Sequence, residues 1–154
     1  MKSLRALKVV SIALLALLAI QFELGMTVNL SPSLQNTPAF SFSLPAVWGA
    51  LSKVGAAATT HAVVGSLLVI LTLGAFLLAL LTRLPSIVVF GVLGFLTAAV
   101  AAATGVLFTL SGFQADGLSH GMATNFLATF SFQFIELCIV SVQLARSRLS
   151  TPQA

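Results

Sequence analysis

Residues 58–110, ATTHAVVGSLLVILTLGAFLLALLTRLPSIVVFGVLGFLTAAVAAATGVLFTL, decide the fold of this protein. They form two long apolar stretches, and the charged residue between them is Arg83. About 20 apolar residues are enough for a helix to cross the hydrocarbon core of a bilayer. Pro85 cannot continue one helix but is well tolerated in the first turn of the next. The sequence therefore predicts two transmembrane helices joined by a very short turn.

Two further apolar stretches flank this pair, so the predicted spans cover about residues 7–25, 58–82, 85–110 and 118–145. The chain has 154 residues, of which 58% are hydrophobic and 6% charged, which is far outside the range of soluble domains. We expect a single transmembrane domain over residues 1–154, an all-α four-helix bundle. Basic residues before the first span also occur in signal peptides, but the residues after it lack a small-x-small cleavage pattern, which favours an uncleaved span.

The basic residues predict the orientation of the bundle in the cell membrane. Six of the seven lysines and arginines fall on one side of the predicted spans, and Lys53 falls on the other. By the positive-inside rule both termini of this multi-pass protein face the cytoplasm, and the connection 27–57 lies outside. The net charge of +4 is thus a topology signal, and we expect the lipid bilayer and no nucleic acid as a partner. Cys138 is the single cysteine, which excludes an intrachain disulfide.

The two histidines of the chain occupy equivalent places. His61 opens the second span and His120 opens the fourth, each directly after an outer loop. The chain thus consists of two repeated helical hairpins, and folding them together places both imidazoles across the bundle at one depth. Helix bundles build cofactor sites between facing helices, and a heme iron takes two axial nitrogens. Small or polar residues one turn below the histidines, Gly65 and Thr124, would leave room for the ring.

Three interpretations of the histidines remain open. Histidines at helix starts can simply reach interfacial water, which leaves a structural bundle without a cofactor. A zinc site is a weaker alternative, because the further ligands nearby are Glu23 and Asp116. Heme b bound through His61 and His120 is favoured, because the pair recurs at equal depth on repeated hairpins.

The sequence resembles the heme A synthase family, whose larger members contain two four-helix halves with a histidine heading the second and fourth helix of each half. The resemblance covers about residues 61–127, one half, and so suggests a compact archaeal-type member. It rests on the His-x-x-x-Gly start at His61 and Gly65, and on the stretch 104–112, TGVLFTLSG, which leads to His120.

The resemblance implies an oxidoreductase that converts heme O to heme A. Candidate partners are then a second copy of the chain, a heme O-producing enzyme and a respiratory oxidase. The family usually has a glutamate just before the first histidine and an arginine just after it, where this chain has Thr59, Thr60 and Ala62. Glu23 is a substitute catalytic carboxylate at about histidine depth. The alternatives are a b-type cytochrome that only transfers electrons and an accessory subunit of a respiratory complex.

Polar residues inside the spans are further candidates. Glu136 falls near the middle of the fourth span, where it either stays protonated, forms a hydrogen bond to Gln133 or to a neighbouring span, or serves proton transfer. We expect Gln21 to form interhelical or interfacial hydrogen bonds. Small residues in the third span recur at helical spacing and indicate a close helix contact: Gly91, Gly94, Ala98, Ala102 and Gly105.

Overall fold

The structure is a computed structural model that describes residues 2–30 and 43–149. Every regular element in this part of the chain is a helix. The helices are α1 (Lys2–Asn29), α2 (Leu44–Val54), α3 (Ala56–Thr82), α4 (Pro85–Leu110) and α5 (Asp116–Leu149). The all-α prediction is therefore confirmed for the described residues.

Four of the helices, α1, α3, α4 and α5, are long and apolar enough to cross a membrane. They correspond to the four predicted spans and indicate a multi-pass membrane protein. Helix α4 covers the predicted range, whereas the other three extend beyond theirs. Hydropathy detects only the apolar part of a helix, while backbone hydrogen bonding continues into its polar ends.

The four long helices form a ring in which α1 packs against α3 and α5, and α4 also packs against α3 and α5. Helices α3 and α5 are therefore diagonal to one another. The start of α1 and the end of α5 line a common cavity. This end of the bundle also carries the α3–α4 turn, and we call it the terminal end. The opposite end, where α3 and α5 begin, is the loop end.

Short connections make consecutive helices antiparallel. Arg83 ends α3 in the left-handed conformation at φ 57° and donates its backbone N–H to the Leu80 carbonyl at 3.2 Å. Pro85 then occupies the start of α4, as the sequence predicts. At the loop end, α4 and α5 are joined by residues 111–115.

Helix α2 is an element that the sequence interpretation missed, since it lies inside the predicted outer connection 27–57. The Ser43 hydroxyl caps its start by accepting the Ala46 N–H at 3.2 Å. Its inner face contributes Ala50 and Leu51 to a cluster with Val28, Ala58, Phe108 and Phe113. Helix α2 thus forms one apolar cap with the end of α1, the start of α3 and the end of α4. Residues 31–42 of the connection lie outside the described part of the chain.

Candidate functional site

His61 lies on α3 one turn from its start and faces α1. The side-chain amide of Gln21, on α1, donates to His61 Nε2 at 3.2 Å and to the backbone carbonyl of His61 at 3.1 Å. The imidazole is thus held between two helices, and its Nε2 accepts a hydrogen bond. This is the interhelical hydrogen bond expected of Gln21, but its partner was not predictable from the sequence.

Two glycines make room for this contact. A Cβ atom on Gly25 would lie 3.1 Å from His61 Cε1, and a Cβ on Gly65 would lie 3.0 Å from Gln21 Nε2. Gly65 therefore borders the Gln21 side chain, which occupies the space that the sequence interpretation reserved for a cofactor ring. Two buried atoms of the pair, His61 Nδ1 and Gln21 Oε1, have no hydrogen-bond partner in the described structure.

His120 has a different environment. It is exposed, as are Asp116 and Thr124 on the same helix. Residues four and seven positions further along a helix return to the same face, so His120, Thr124 and Leu127 share one face of α5. Leu127 lines a cavity of about 510 Å³ between α1 and α5, which we call the apolar groove.

Glu23 also lines the apolar groove and is exposed. On a helix, a residue two positions from Gln21 is turned by about 200°. Gln21 faces His61, so Glu23 points away from that imidazole, towards α5. The groove is bordered by Phe22 and Phe126, whose rings stack with centroids 6.2 Å apart, and neither histidine lines it.

The structure therefore brings the two histidines to the same end of the bundle on diagonal helices, but with different contacts. His61 is in the α1–α3 interface, while His120 lies on the exposed surface of α5. In the described residues, no three histidine, cysteine, aspartate or glutamate side chains come together.

A second polar region lies deeper, where α5 packs against α4. Along one face of α5, three fully or almost fully buried polar side chains, Thr129, Gln133 and Glu136, follow one another. The Thr129 hydroxyl donates to the Thr97 hydroxyl at 2.9 Å. Gln133 packs directly against Gly94, and Glu136 lies beside Gly91. We call this row the α4–α5 polar seam.

Most polar atoms at the deep part of the seam have no partner. Both carboxyl oxygens of Glu136 and both amide atoms of Gln133 are buried without a hydrogen bond in the described structure. Of the alternatives for Glu136, the hydrogen bond to Gln133 is thus not formed in the described structure. The small residues of α4 do mark a close contact, because Gly91 and Gly94 leave the space that these two side chains fill. A role of Glu136 in proton transfer stays a prediction.

Comparison with known proteins adds no relative: no protein-family model, curated protein or solved structure matches this chain.

Proposed function

We propose that this protein is a heme-binding membrane protein whose iron is ligated by His61 and His120, at the loop end of the bundle. The observation that carries the proposal is the placement of the only two histidines of the chain, which head diagonal helices at one end. A heme between the two histidines would be held from α3 and α5, which are diagonal in the ring, and its binding would require both side chains to turn, because His61 faces α1 and His120 is exposed.

The residues around His61 fit this role after one local change. A metal-bound imidazole uses one ring nitrogen for the metal, and its other nitrogen donates to a neighbouring acceptor. His61 Nδ1 and Gln21 Oε1 are both buried without a partner in the described structure, so a turned Gln21 side chain would offer Nδ1 an acceptor. Nε2 accepts a hydrogen bond from Gln21, so ligation requires the Gln21 amide to leave this nitrogen. His120 is exposed and has no such constraint.

A bound heme would supply electron transfer or oxidation chemistry, and the chain would bind and orient it. The narrower proposal, oxidation of heme O to heme A, rests on the resemblance to heme A synthase. Glu23 is then the nearest catalytic candidate along α1, but it faces the apolar groove and not His61. Under this proposal the candidate partners are a second copy of the chain, a heme O-producing enzyme and a respiratory oxidase.

The test is the absorption spectrum of the protein purified after heme-sufficient expression. We expect the Soret and α bands of a bis-histidine heme, and their loss in His61→Ala and His120→Ala. Thr60→Ala and Ser119→Ala change the residues next to the ligands and should keep the bands.

Two outcomes contradict the proposal or narrow it. No heme band in the wild-type protein would leave the bundle without a cofactor, and unchanged bands in both histidine variants would show that other residues hold the heme. The heme A synthase proposal and the electron-transfer cytochrome are distinguished by identifying the heme extracted from the protein, after its expression in cells that also make heme O. Heme A supports the enzyme, and unmodified heme b alone supports an electron-transfer cytochrome.

A further inference from the structure

Three basic side chains converge at the terminal end of the bundle, where α1 and α5 meet. Arg5, Lys8 and Arg148 line a cavity of about 320 Å³, together with Ser141 and Leu144. We call it the basic groove. The groove combines basic side chains from two helices with a hydroxyl. Such groups donate hydrogen bonds to the oxygens of a phosphate group.

No side-chain carboxylate is near enough to neutralise the basic groove. The chain has three acidic residues, Glu23, Asp116 and Glu136, and all of them are in the described part of the structure. Asp116 begins α5 at the opposite end of the bundle, and Glu136 is 12 residues, or roughly 18 Å, before Arg148 along α5. Glu23 is 15 residues, or roughly 22 Å, beyond Lys8 along α1. No side-chain carboxylate of the chain therefore compensates the positive charge of the groove.

The surface that leads away from the basic groove is apolar. The same α1–α5 interface contains the apolar groove, lined by Leu18, Ile20, Phe126 and Phe130. It begins 10 residues beyond Lys8 along α1 and 11 residues before Ser141 along α5, which corresponds to roughly 15 Å of depth. This distance is close to half the hydrocarbon thickness of a bilayer, the depth that one lipid chain spans.

We propose that the α1–α5 interface binds a phospholipid with an anionic headgroup. Its phosphate is held by Arg5, Lys8 and Arg148, and an acyl chain runs along the interface to the apolar groove. Basic cavities between transmembrane helices bind such headgroups, and each cation near an anionic membrane surface contributes about 1 kcal/mol, or roughly a five-fold gain in affinity.

The chain offers a matched control. Three further cations, Lys2, Arg83 and Arg146, fall at the same terminal end but do not line the groove. Replacing either set with glutamine removes three positive charges and leaves a formal net charge of +1 from the original +4. A difference between the two triple variants therefore reports the geometry of the groove and not the total charge.

The experiment titrates the detergent-solubilised protein with phosphatidylglycerol or with phosphatidylcholine and counts bound lipids by native mass spectrometry. We expect phosphatidylglycerol to bind the wild type more tightly than phosphatidylcholine. The triple variant Arg5→Gln, Lys8→Gln and Arg148→Gln should lose roughly 100-fold in phosphatidylglycerol affinity. The variant Lys2→Gln, Arg83→Gln and Arg146→Gln should lose much less, and circular dichroism checks that both remain helical.

Three results would overturn the proposal. Equal losses in the two triple variants would assign the binding to overall charge. Equal affinity of the wild type for the two lipids would show that the site does not recognise the anionic headgroup. Displacement of phosphatidylglycerol by the same concentration of inorganic phosphate would identify a free-anion site in which the acyl chain contributes nothing.

Discussion

Gly91 lies where α4 contacts both of its neighbours. A Cβ atom there would be 3.0 Å from Ala79 Cβ on α3, 3.1 Å from Glu136 Oε1 on α5, and 3.5 Å from the Phe76 Cα. The Ala79 Cβ is fixed to a packed helix and cannot turn aside as the end of a long side chain can, whereas 3.5 Å from the Phe76 Cα is an ordinary van der Waals contact. The hydrogen side chain of Gly91 thus sets how closely three helices approach.

We therefore expect Gly91→Ala to destabilise the bundle, although alanine has the higher helix propensity. Overpacking a closed contact costs about 1–3 kcal/mol, against a propensity gain of at most about 1 kcal/mol. Gly74→Ala on α3 is the control, since a Cβ at Gly74 meets none of the described residues within 4 Å. The measurement is the thermal midpoint of each variant in the same detergent. A midpoint of Gly91→Ala equal to that of Gly74→Ala would show that the contact can relax.

For Glu136 the sequence predicted an unusual position but not the contacts of the side chain. Its position in an apolar span identified it as notable from the sequence, and the structure places it fully buried beside Gly91. The absence of a partner for either carboxyl oxygen in the described structure could not be inferred from spacing. Gln133 is three residues away on the same face, but its amide packs against Gly94 instead.

At the scale of elements, α2 differs from the other helices. It has 11 residues and lies between two spans, with Ala50 and Leu51 buried against the loop-end cluster and Trp48 more than half exposed. A short helix with one buried face and an exposed tryptophan is suited to the membrane–water interface, where the indole combines an apolar ring with a hydrogen-bond donor.

We predict that Trp48 lies at headgroup depth in a bilayer. The chain has one tryptophan and no tyrosine, so its fluorescence reports this residue alone. In reconstituted vesicles, lipids brominated close to the headgroup should quench the emission more strongly than lipids brominated near the chain ends. Trp48→Phe gives the background signal. Stronger quenching by the deep bromines would place α2 within the hydrocarbon core, and no quenching by either lipid would place it in water.

At the scale of the whole molecule, the antiparallel ring brings the start of α1 and the end of α5 to the terminal end. This end carries Lys2, Arg5, Lys8, Arg83, Arg146 and Arg148, whereas Lys53 lies in the last turn of α2 at the loop end. Such an imbalance favours insertion with the basic end in the cytoplasm.

The orientation can be measured by cysteine labelling in a Cys138→Ala background. Ser3→Cys reports the terminal end, Ser52→Cys reports the loop end, and neither substitution changes the charge that sets the topology. With a membrane-impermeant maleimide on intact cells, we expect labelling of Ser52→Cys, and of Ser3→Cys only after lysis. The reverse pattern would contradict the positive-inside prediction.

The sequence by itself determined the class of the protein, the number of long helices and the turn at Pro85. These features follow from hydropathy and backbone chemistry, which act locally and can be read along the chain. The sequence also marked His61, His120 and Glu136, because polar residues are rare among apolar ones. Helix α2 was not predicted, because a short helix gives little periodic signal. Its apolar face can be recognised only when its packing against α3 and α4 is known.

Only the tertiary structure decided which side chains meet. The pairing of Gln21 with His61, the place of Gln133 against Gly94 and the convergence of Arg5, Lys8 and Arg148 each depend on the rotation of two helices about their axes. That rotation is set by packing small residues against large ones, since lipid provides no hydrophobic force that would turn one face inward. The short turn between residues 58–82 and 85–110 therefore determined that two helices are neighbours, but not which faces they share.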